Sequence, residues 1–187
     1  TATIFAAGFV MRPIGAWVMG RYADARGRKA GLTLSVALMF IGSMLLACAP
    51  TYAQAGIFGP AILLLARMTQ GLSLGGEYGA SATYLSEMAP RKNRGFWASF
   101  QYMTLCGGQL VAIFVAVVLQ GFLTEAELTA WGWRVPFVIG ALLALAVYAL
   151  RRNLAETPSF QKLDAARAPS TAAMLWADHR RHSILVA

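Results

Sequence analysis

Charge is scarce in this chain: Asp, Glu, Lys and Arg together make up 13% of its 187 residues, and only 8 residues are acidic. Soluble domains carry roughly a quarter charged residues, so a water-facing surface of ordinary composition is excluded. Histidine is nearly absent, and His179 and His182 both lie near the end of the sequence. No nucleophile with a neighbouring base, and no metal-ligand cluster, falls within the apolar blocks, which argues against a membrane-embedded enzyme. The two cysteines, Cys48 and Cys106, sit inside separate apolar blocks without metal-ligand spacing. They predict neither a disulfide framework nor a zinc site and read as small packing residues. No cleavable leader is expected, because the first block lacks a charged start and a cleavage site and runs on into further apolar segments. There is no low-complexity tract.

What the chain has instead is apolar length. Hydrophobic residues account for 58% of positions, and they come in blocks long enough to cross a hydrocarbon core, which takes roughly 20 helical residues. Five spans are expected near residues 2–21, 31–49, 60–85, 96–121 and 134–151. The connections alternate. Tyr22 to Ala30 carries Asp24, Arg26, Arg28 and Lys29, while Pro50 to Gly59 carries no charge. Ser86 to Gly95 carries Arg91, Lys92 and Arg94, and Phe122 to Trp133 holds only Glu125 and Glu127. Basic loops stay in the cytoplasm, so the first span runs from outside to inside. The net charge of +8 is thereby explained by topology, without a nucleic-acid partner. Trp131 and Trp133 fit an outer aromatic belt. After Arg152, residues 153–182 mix charged and apolar positions at helical spacing and read as a cytoplasmic linker, and 183–187 begin another apolar run. Opening at Thr1 and stopping inside that run, the sequence reads as an excised fragment.

Charged groups inside a span cost roughly 2.5 to 3.5 kcal/mol each on an insertion scale and mark pathways or internal pairs. Three are present: Arg12, Arg67 and Glu77. Arg12 lies eight residues before Gly20, and Glu77 eight before Leu85, on two spans that descend in the same direction. At 1.5 Å of rise per residue both lie about 12 Å from the cytoplasmic end, level with each other and able to pair. Arg67, Gln70, Gly71, Leu74, Glu77, Tyr78 and Ser81 trace one face of the third span. Lipid cannot satisfy such a face, so it must turn to protein or water. The fourth span adds Gln101, Tyr102, Thr104 and Gln109, with Thr104 at a similar depth. These residues predict a polar cavity; the alternative is a buried structural pair. Arg134, between Trp133 and Pro136, also suits an interfacial snorkelling role. Gly71, Gly75, Gly76 and Gly79 on the third span allow close helix packing.

Several stretches resemble the major facilitator superfamily. Gly20-Arg21-Tyr22-Ala23-Asp24-Ala25-Arg26-Gly27-Arg28-Lys29 resembles the loop signature between its second and third helices, with Ala25 where many members carry a basic residue. Arg67-Met68-Thr69-Gln70-Gly71 is similar to its fourth-helix motif, and Arg152-Asn153-Leu154-Ala155-Glu156-Thr157-Pro158 to the segment after the sixth helix in sugar-porter-like members. Met11-Arg12-Pro13-Ile14-Gly15, Gly75-Gly76-Glu77-Tyr78-Gly79 and Trp131-Gly132-Trp133-Arg134-Val135-Pro136-Phe137 resemble the metabolite:proton symporter family. Ser81-Ala82-Thr83-Tyr84-Leu85-Ser86-Glu87, Ala98-Ser99-Phe100-Gln101-Tyr102 and Gly107-Gly108-Gln109-Leu110 narrow this to its branch that carries alpha-ketoglutarate.

The resemblance implies an all-α polytopic membrane protein whose five spans are helices two to six of twelve, with residues 1–152 forming the N-terminal transporter half. It implies a multi-pass protein of the cytoplasmic (inner) membrane that imports a dicarboxylate such as alpha-ketoglutarate together with protons. Citrate, shikimate or an osmolyte are alternative substrates, and a nutrient sensor that binds without carrying is an alternative on the same fold. Arg12 would hold a substrate carboxylate, since a guanidinium is planar and stays protonated. Glu77, Tyr78, Gln101, Gln109 and Arg134 would complete the binding lining, with Glu77 taking the coupled proton as substrate at Arg12 altered its proton affinity. Gly20, Asp24, Arg26, Gly27, Arg28 and Lys29, with Glu87, Arg94, Arg152 and Glu156, would form a cytoplasmic gate of ion pairs that break as two halves rock. Arg67, Gln70 and Gly71 form the fourth-helix motif. Expected partners are a small organic anion, protons, membrane lipid and a C-terminal six-helix half, with neither cofactor nor metal.

Overall fold

The computed structural model describes residues 2–157 and 160; the linker expected over 153–182 and the apolar start at 183–187 fall almost wholly outside these. Five long helices dominate: α1 (Ala2–Arg26), α2 (Arg28–Ala47), α4 (Phe58–Met88), α5 (Arg94–Phe122) and α7 (Val135–Arg152), with short α3 (Tyr52–Ala55) and α6 (Glu125–Ala130) in the two connections that carry no basic residue. No strand occurs among the described residues. Each expected span has a helix over it, and most helices run past the apolar block into the charged flanks.

Local chemistry sets the ends. Gly27 has φ 103°, a left-handed conformation that favours glycine, so α1 stops there and α2 begins at the next residue. Ala89 precedes Pro90 and is extended, with φ −73° and ψ 139°, as pre-proline sterics require; α4 ends at that point. Thr51 with Gln54, and Thr124 with Glu127, form capping boxes that start α3 and α6. Pro136 lies in the first turn of α7, where its missing N–H costs no helix bond.

Helix α4 is the centre of the packing: α1 and α2 both lie along it, and α7 lies along α2. Its contact with α1 is backbone-close. A Cβ on Gly71 or Gly75 would collide with the carbonyl oxygens of Gly8 and Arg12, and one on Gly15 would meet the Cα of Leu72 at 2.8 Å. Small residues permit this approach, and in an apolar medium the resulting dispersion contacts hold helices together. The α2–α4 seam is partly polar. Ser73 Oγ donates to the Ser35 carbonyl at 2.6 Å, and Gln70 Nε2 donates to Ser43 Oγ at 3.4 Å. Helix α5 differs from the rest, with no buried residue and few contacts, mostly to α4.

Three helical segments, Arg28–Ala47, Arg94–Phe122 and Gly132–Arg152, are long and apolar enough to cross a membrane by length and composition. Helices α1 and α4 are long enough at 25 and 31 residues, but Arg12, Arg67, Gln70, Glu77 and their glycines dilute the apolar character. Arg67, Gln70 and Glu77 are met by protein groups, as a span through hydrocarbon requires, while Arg12 is exposed beside the Phe9 ring.

Candidate functional site

The α1–α4 contact opens into a cleft of about 60 Å³ lined by Phe5, Phe9, Arg12, Arg67, Gln70 and Leu74, among others. Both intramembrane arginines expected from the sequence enter it. The Arg12 guanidinium lies 4.1 Å from the Phe9 ring centre; Arg67 lies 4.8 Å from Phe5 and 5.7 Å from Phe137. Aromatic faces stabilise a cation in a desolvated setting without neutralising it. Arg67 Nη1 also donates to Gln70 Oε1 at 3.1 Å, which with the Gln70–Ser43 bond fixes the side chain from α2. Neither arginine has a carboxylate partner among the described residues. The cleft is therefore a cationic, aromatic-walled half-site. Drug-sized ligand pockets run to about 300 Å³ or more, so it needs further walls to enclose a metabolite.

Glu77 is not in this cleft, and the pair expected between Arg12 and Glu77 does not form. Glu77 turns toward α2 and α7, where its Oε1 accepts from Arg151 Nη2 at 2.7 Å. Arg151 Nη1 donates to the Leu32 carbonyl at 2.9 Å, so one guanidinium joins three helices. Arg12 and Glu77 are not level as counting from the span ends suggests: Gly75 lies between Arg12 and Ala16 and Gly76 lies against Met19, so Glu77 is roughly one turn farther along and on another side of α4. By position alone Arg151 is a cytoplasmic boundary charge, and no sequence signal separates a snorkelling arginine from one that folds back.

Tyr78 and Tyr102 join α4 to α5 through hydroxyls 3.1 Å apart, and Gln101 Nε2 donates to the Tyr78 carbonyl at 3.2 Å. Gln101 Oε1 is buried without a hydrogen-bond partner among the described residues. Gln109 is exposed farther along α5, away from this contact. Arg134 is outside the cleft as well. It donates to the carbonyls of Ala130 at 3.2 Å and Ala49 at 2.9 Å and lies 4.6 Å from the Trp133 ring. In this structure it ties the start of α7 to the end of α2.

The expected gate residues form a second constellation. Asp24 pairs with Arg28 one turn on, and Arg28 Nε lies 3.7 Å from Glu87. Glu156 accepts from the backbone N–H groups of Arg28 at 3.1 Å and Lys29 at 3.2 Å, a carboxylate at the positive end of α2. Tyr84 Oη donates to the Ala155 carbonyl at 3.1 Å, strapping the segment after α7 onto α4. Gly20, Asp24, Arg28, Gly79 and Thr83 border a second cleft, of about 360 Å³. Arg26 stacks on Tyr22 at 5.4 Å. Arg94 and Arg152 are exposed and form no ion pair among the described residues, whereas Glu87 pairs with Arg28 and Glu156 accepts backbone N–H groups. On the opposite, acidic side, hydrogen bonds from the Thr124 backbone and hydroxyl hold the Glu127 carboxyl below its ordinary pKa.

Residues 1–182 match the family model described as "Sugar (and other) transporter". The chain is 54% identical over 180 residues to the alpha-ketoglutarate permease of Escherichia coli (strain K12), covering 96% of this chain and 41% of that protein. It is 41% identical to the citrate-proton symporter of Salmonella typhi, covering 86% of this chain and 37% of that one. With the putative proline/betaine transporter of Staphylococcus haemolyticus it shares 39%, covering 86% and 34%. The chain thus spans about two-fifths of the length of the curated relatives it matches. Among solved structures, the xylose transporter XylE from E. coli in a partially occluded inward open conformation superposes with a TM-score of 0.77 at 24% identity, covering 86% of this chain and 38% of that one. At that identity the likeness shows the fold alone.

Proposed function

The chain belongs to the sugar (and other) transporter family, and from that premise we propose that it works in a proton-coupled secondary transporter that imports a small organic anion, a dicarboxylate such as alpha-ketoglutarate. It is a multi-pass protein of the inner membrane, and its relatives are permeases and symporters rather than enzymes. The observation that carries the substrate class is the juxtaposition of Arg12 and Arg67 in one cleft, each against aromatic rings and neither paired with a carboxylate among the described residues. Two unneutralised guanidiniums in one cleft, Arg67 half-buried and Arg12 exposed, favour a substrate with more than one anionic group, and their planar forks suit carboxylates. An uncharged sugar would leave both cations without a partner. The 54% identity to an alpha-ketoglutarate permease supports the dicarboxylate, and the citrate-proton symporter relatives make citrate the second reading.

The cytoplasmic constellation supports alternating access. Asp24, Arg28, Glu87 and Glu156 gather the ends of α1, α2 and α4 and the segment after α7 into one charged patch, and ion pairs at such a face can be exchanged as the transporter rocks. Gly20, Arg26, Gly27 and Lys29 flank the same break between α1 and α2; Arg94 and Arg152 are available for pairs with other parts of the transporter.

The test is uptake of labelled alpha-ketoglutarate by the full-length protein in proteoliposomes, with and without an inward proton gradient, with Arg12→Ala beside the wild type. Gradient-driven uptake that the substitution abolishes is the expected result. Citrate uptake without alpha-ketoglutarate uptake would replace the substrate, and binding without uptake of any anion would identify a sensor.

A further inference from the structure

Among the described residues, Glu77 is the one carboxylate in the body of a long helix; Asp24 and Glu87 lie in the last turns of α1 and α4, and α2, α5 and α7 contain no acidic residue. It lines neither cleft. Its partner is unusual for its position. Arg151 belongs to the last turn of α7, where an arginine ordinarily extends to the headgroups, yet here the guanidinium folds back between α2 and α4. The pair is not sealed inside the helices, with side chains 19% and 29% exposed for Arg151 and Glu77. A proton can therefore arrive without unfolding.

We propose that the Glu77–Arg151 pair is the proton-carrying site of the transport cycle, separate from the Arg12–Arg67 cleft, with Arg151 alternating between Glu77 and the cytoplasmic membrane surface. This deepens the symport reading and rests on it. In the unprotonated state Glu77 accepts from Arg151 Nη2. Protonation adds the proton to a Glu77 carboxyl oxygen, and the neutral acid no longer holds the guanidinium, which stays charged and is long enough to turn outward. Loss of the proton restores the carboxylate and draws Arg151 back. The surroundings leave this exchange to the pair itself. α7 brings Arg151, and α2 brings the Leu32 carbonyl, while its Arg28 is engaged by Asp24 and Glu87. α1 brings Arg12, which is in the cleft that Glu77 does not line, and α5 brings Tyr102, bonded to Tyr78. Because Arg151 spans α2, α4 and α7, its release loosens three helices at once, which couples proton binding to helix movement.

The test uses the full-length protein in proteoliposomes and two assays of alpha-ketoglutarate movement: accumulation driven by a proton gradient, and exchange of labelled for unlabelled substrate at equal pH. For Glu77→Gln we expect accumulation to fall to equilibration while exchange persists. For Arg151→Gln we expect gradient-driven accumulation to fall while exchange at equal pH persists, because the cation that the Glu77 carboxylate draws back is gone. The double variant E77Q/R151Q, which keeps an amide pair at the seam, controls for folding and should exchange like Glu77→Gln. Accumulation by Glu77→Gln would overturn the proposal. So would loss of exchange in both Glu77→Gln and the double variant, which would make the pair a structural clamp. Absence of gradient-driven accumulation in the wild type would instead overturn the symport reading, and this inference with it.

Discussion

Replacing Gly75 with alanine should separate α1 from α4 and disturb the anion cleft, although the change adds a single methyl group. The added Cβ would lie 2.8 Å from the Ala16 backbone nitrogen, 2.9 Å from the Arg12 carbonyl carbon, and closer still to the Arg12 carbonyl oxygen. These are backbone atoms of a helix and cannot swing aside, so the helices must part by roughly 1 Å or more to relieve the tightest contact, the Arg12 carbonyl oxygen. A gap of that size forfeits a quarter to a half of each contact of about 0.1–0.2 kcal/mol along the seam, and overpacking a tight site costs about 1–3 kcal/mol in practice. At Gly79, one turn farther along α4, an added methyl would have nothing within 4 Å, so Gly79→Ala is the matched control. The assay is thermal unfolding of the purified protein in detergent, followed by the KM for alpha-ketoglutarate. We expect Gly75→Ala to unfold several degrees earlier and to raise KM, because the clash falls on the residue that presents the Arg12 side chain, while Gly79→Ala stays near wild type on both. Equal destabilisation by the two substitutions, or none by Gly75→Ala, would refute the close-packing argument.

Arg67→Lys should raise KM for the anion by about 5- to 30-fold, since an ammonium keeps the charge but loses planar stacking on Phe5 and Phe137, worth about 1–2 kcal/mol when desolvated; concentration-dependent uptake measures it. Arg134→Gln should lower thermal stability by about 1–3 kcal/mol, the range for hydrogen bonds to charged groups, with little change in KM, because Arg134 bonds the Ala49 and Ala130 carbonyls away from the cleft. The Thr124–Glu127 cap should be sensitive to acid. Its carboxyl titrates below the ordinary value, so the stabilisation is present above the unfolded pKa and is lost as pH falls through the lower folded one. Protection factors of the amides across 125–130, corrected for the intrinsic pH dependence of exchange, should therefore fall on acidification, and Thr124→Ala should remove that dependence.

The sequence was most legible where the solvent dictates the answer. Apolar runs gave the positions of the long helices, because a hydrocarbon core requires satisfied backbones. The helices run past the ends expected at 21 and 85 and stop at Gly27 and before Pro90, where backbone sterics end them. The polar face of α4 was visible from its period, and Arg67, Gln70, Gly71 and Leu74 do share a cleft. Other features were hidden. The aromatic walls from Phe5, Phe9 and Phe137 are ordinary lipid-compatible residues in the sequence, and Ser35, Ser43 and Ser73 give no hint that they pair across a seam.

Arg12, Glu77 and Arg151 mark the boundary between the two kinds of information. Residue identity by itself determined that Arg12 and Glu77 are charged groups within long apolar helices, but counting from the span ends put them level, whereas the α1–α4 register, with Gly75 beside Arg12 and Ala16 and Gly76 beside Met19, sets Glu77 farther along. Which partner each side chain meets depends on the rotation of α4, and that is set by the contact of Gly71 and Gly75 with α1 and of Gln70 and Ser73 with α2. Only the tertiary structure decided that Arg12 joins Arg67 while Glu77 turns to Arg151, because rotation follows from simultaneous packing against two neighbours rather than from any spacing within one helix.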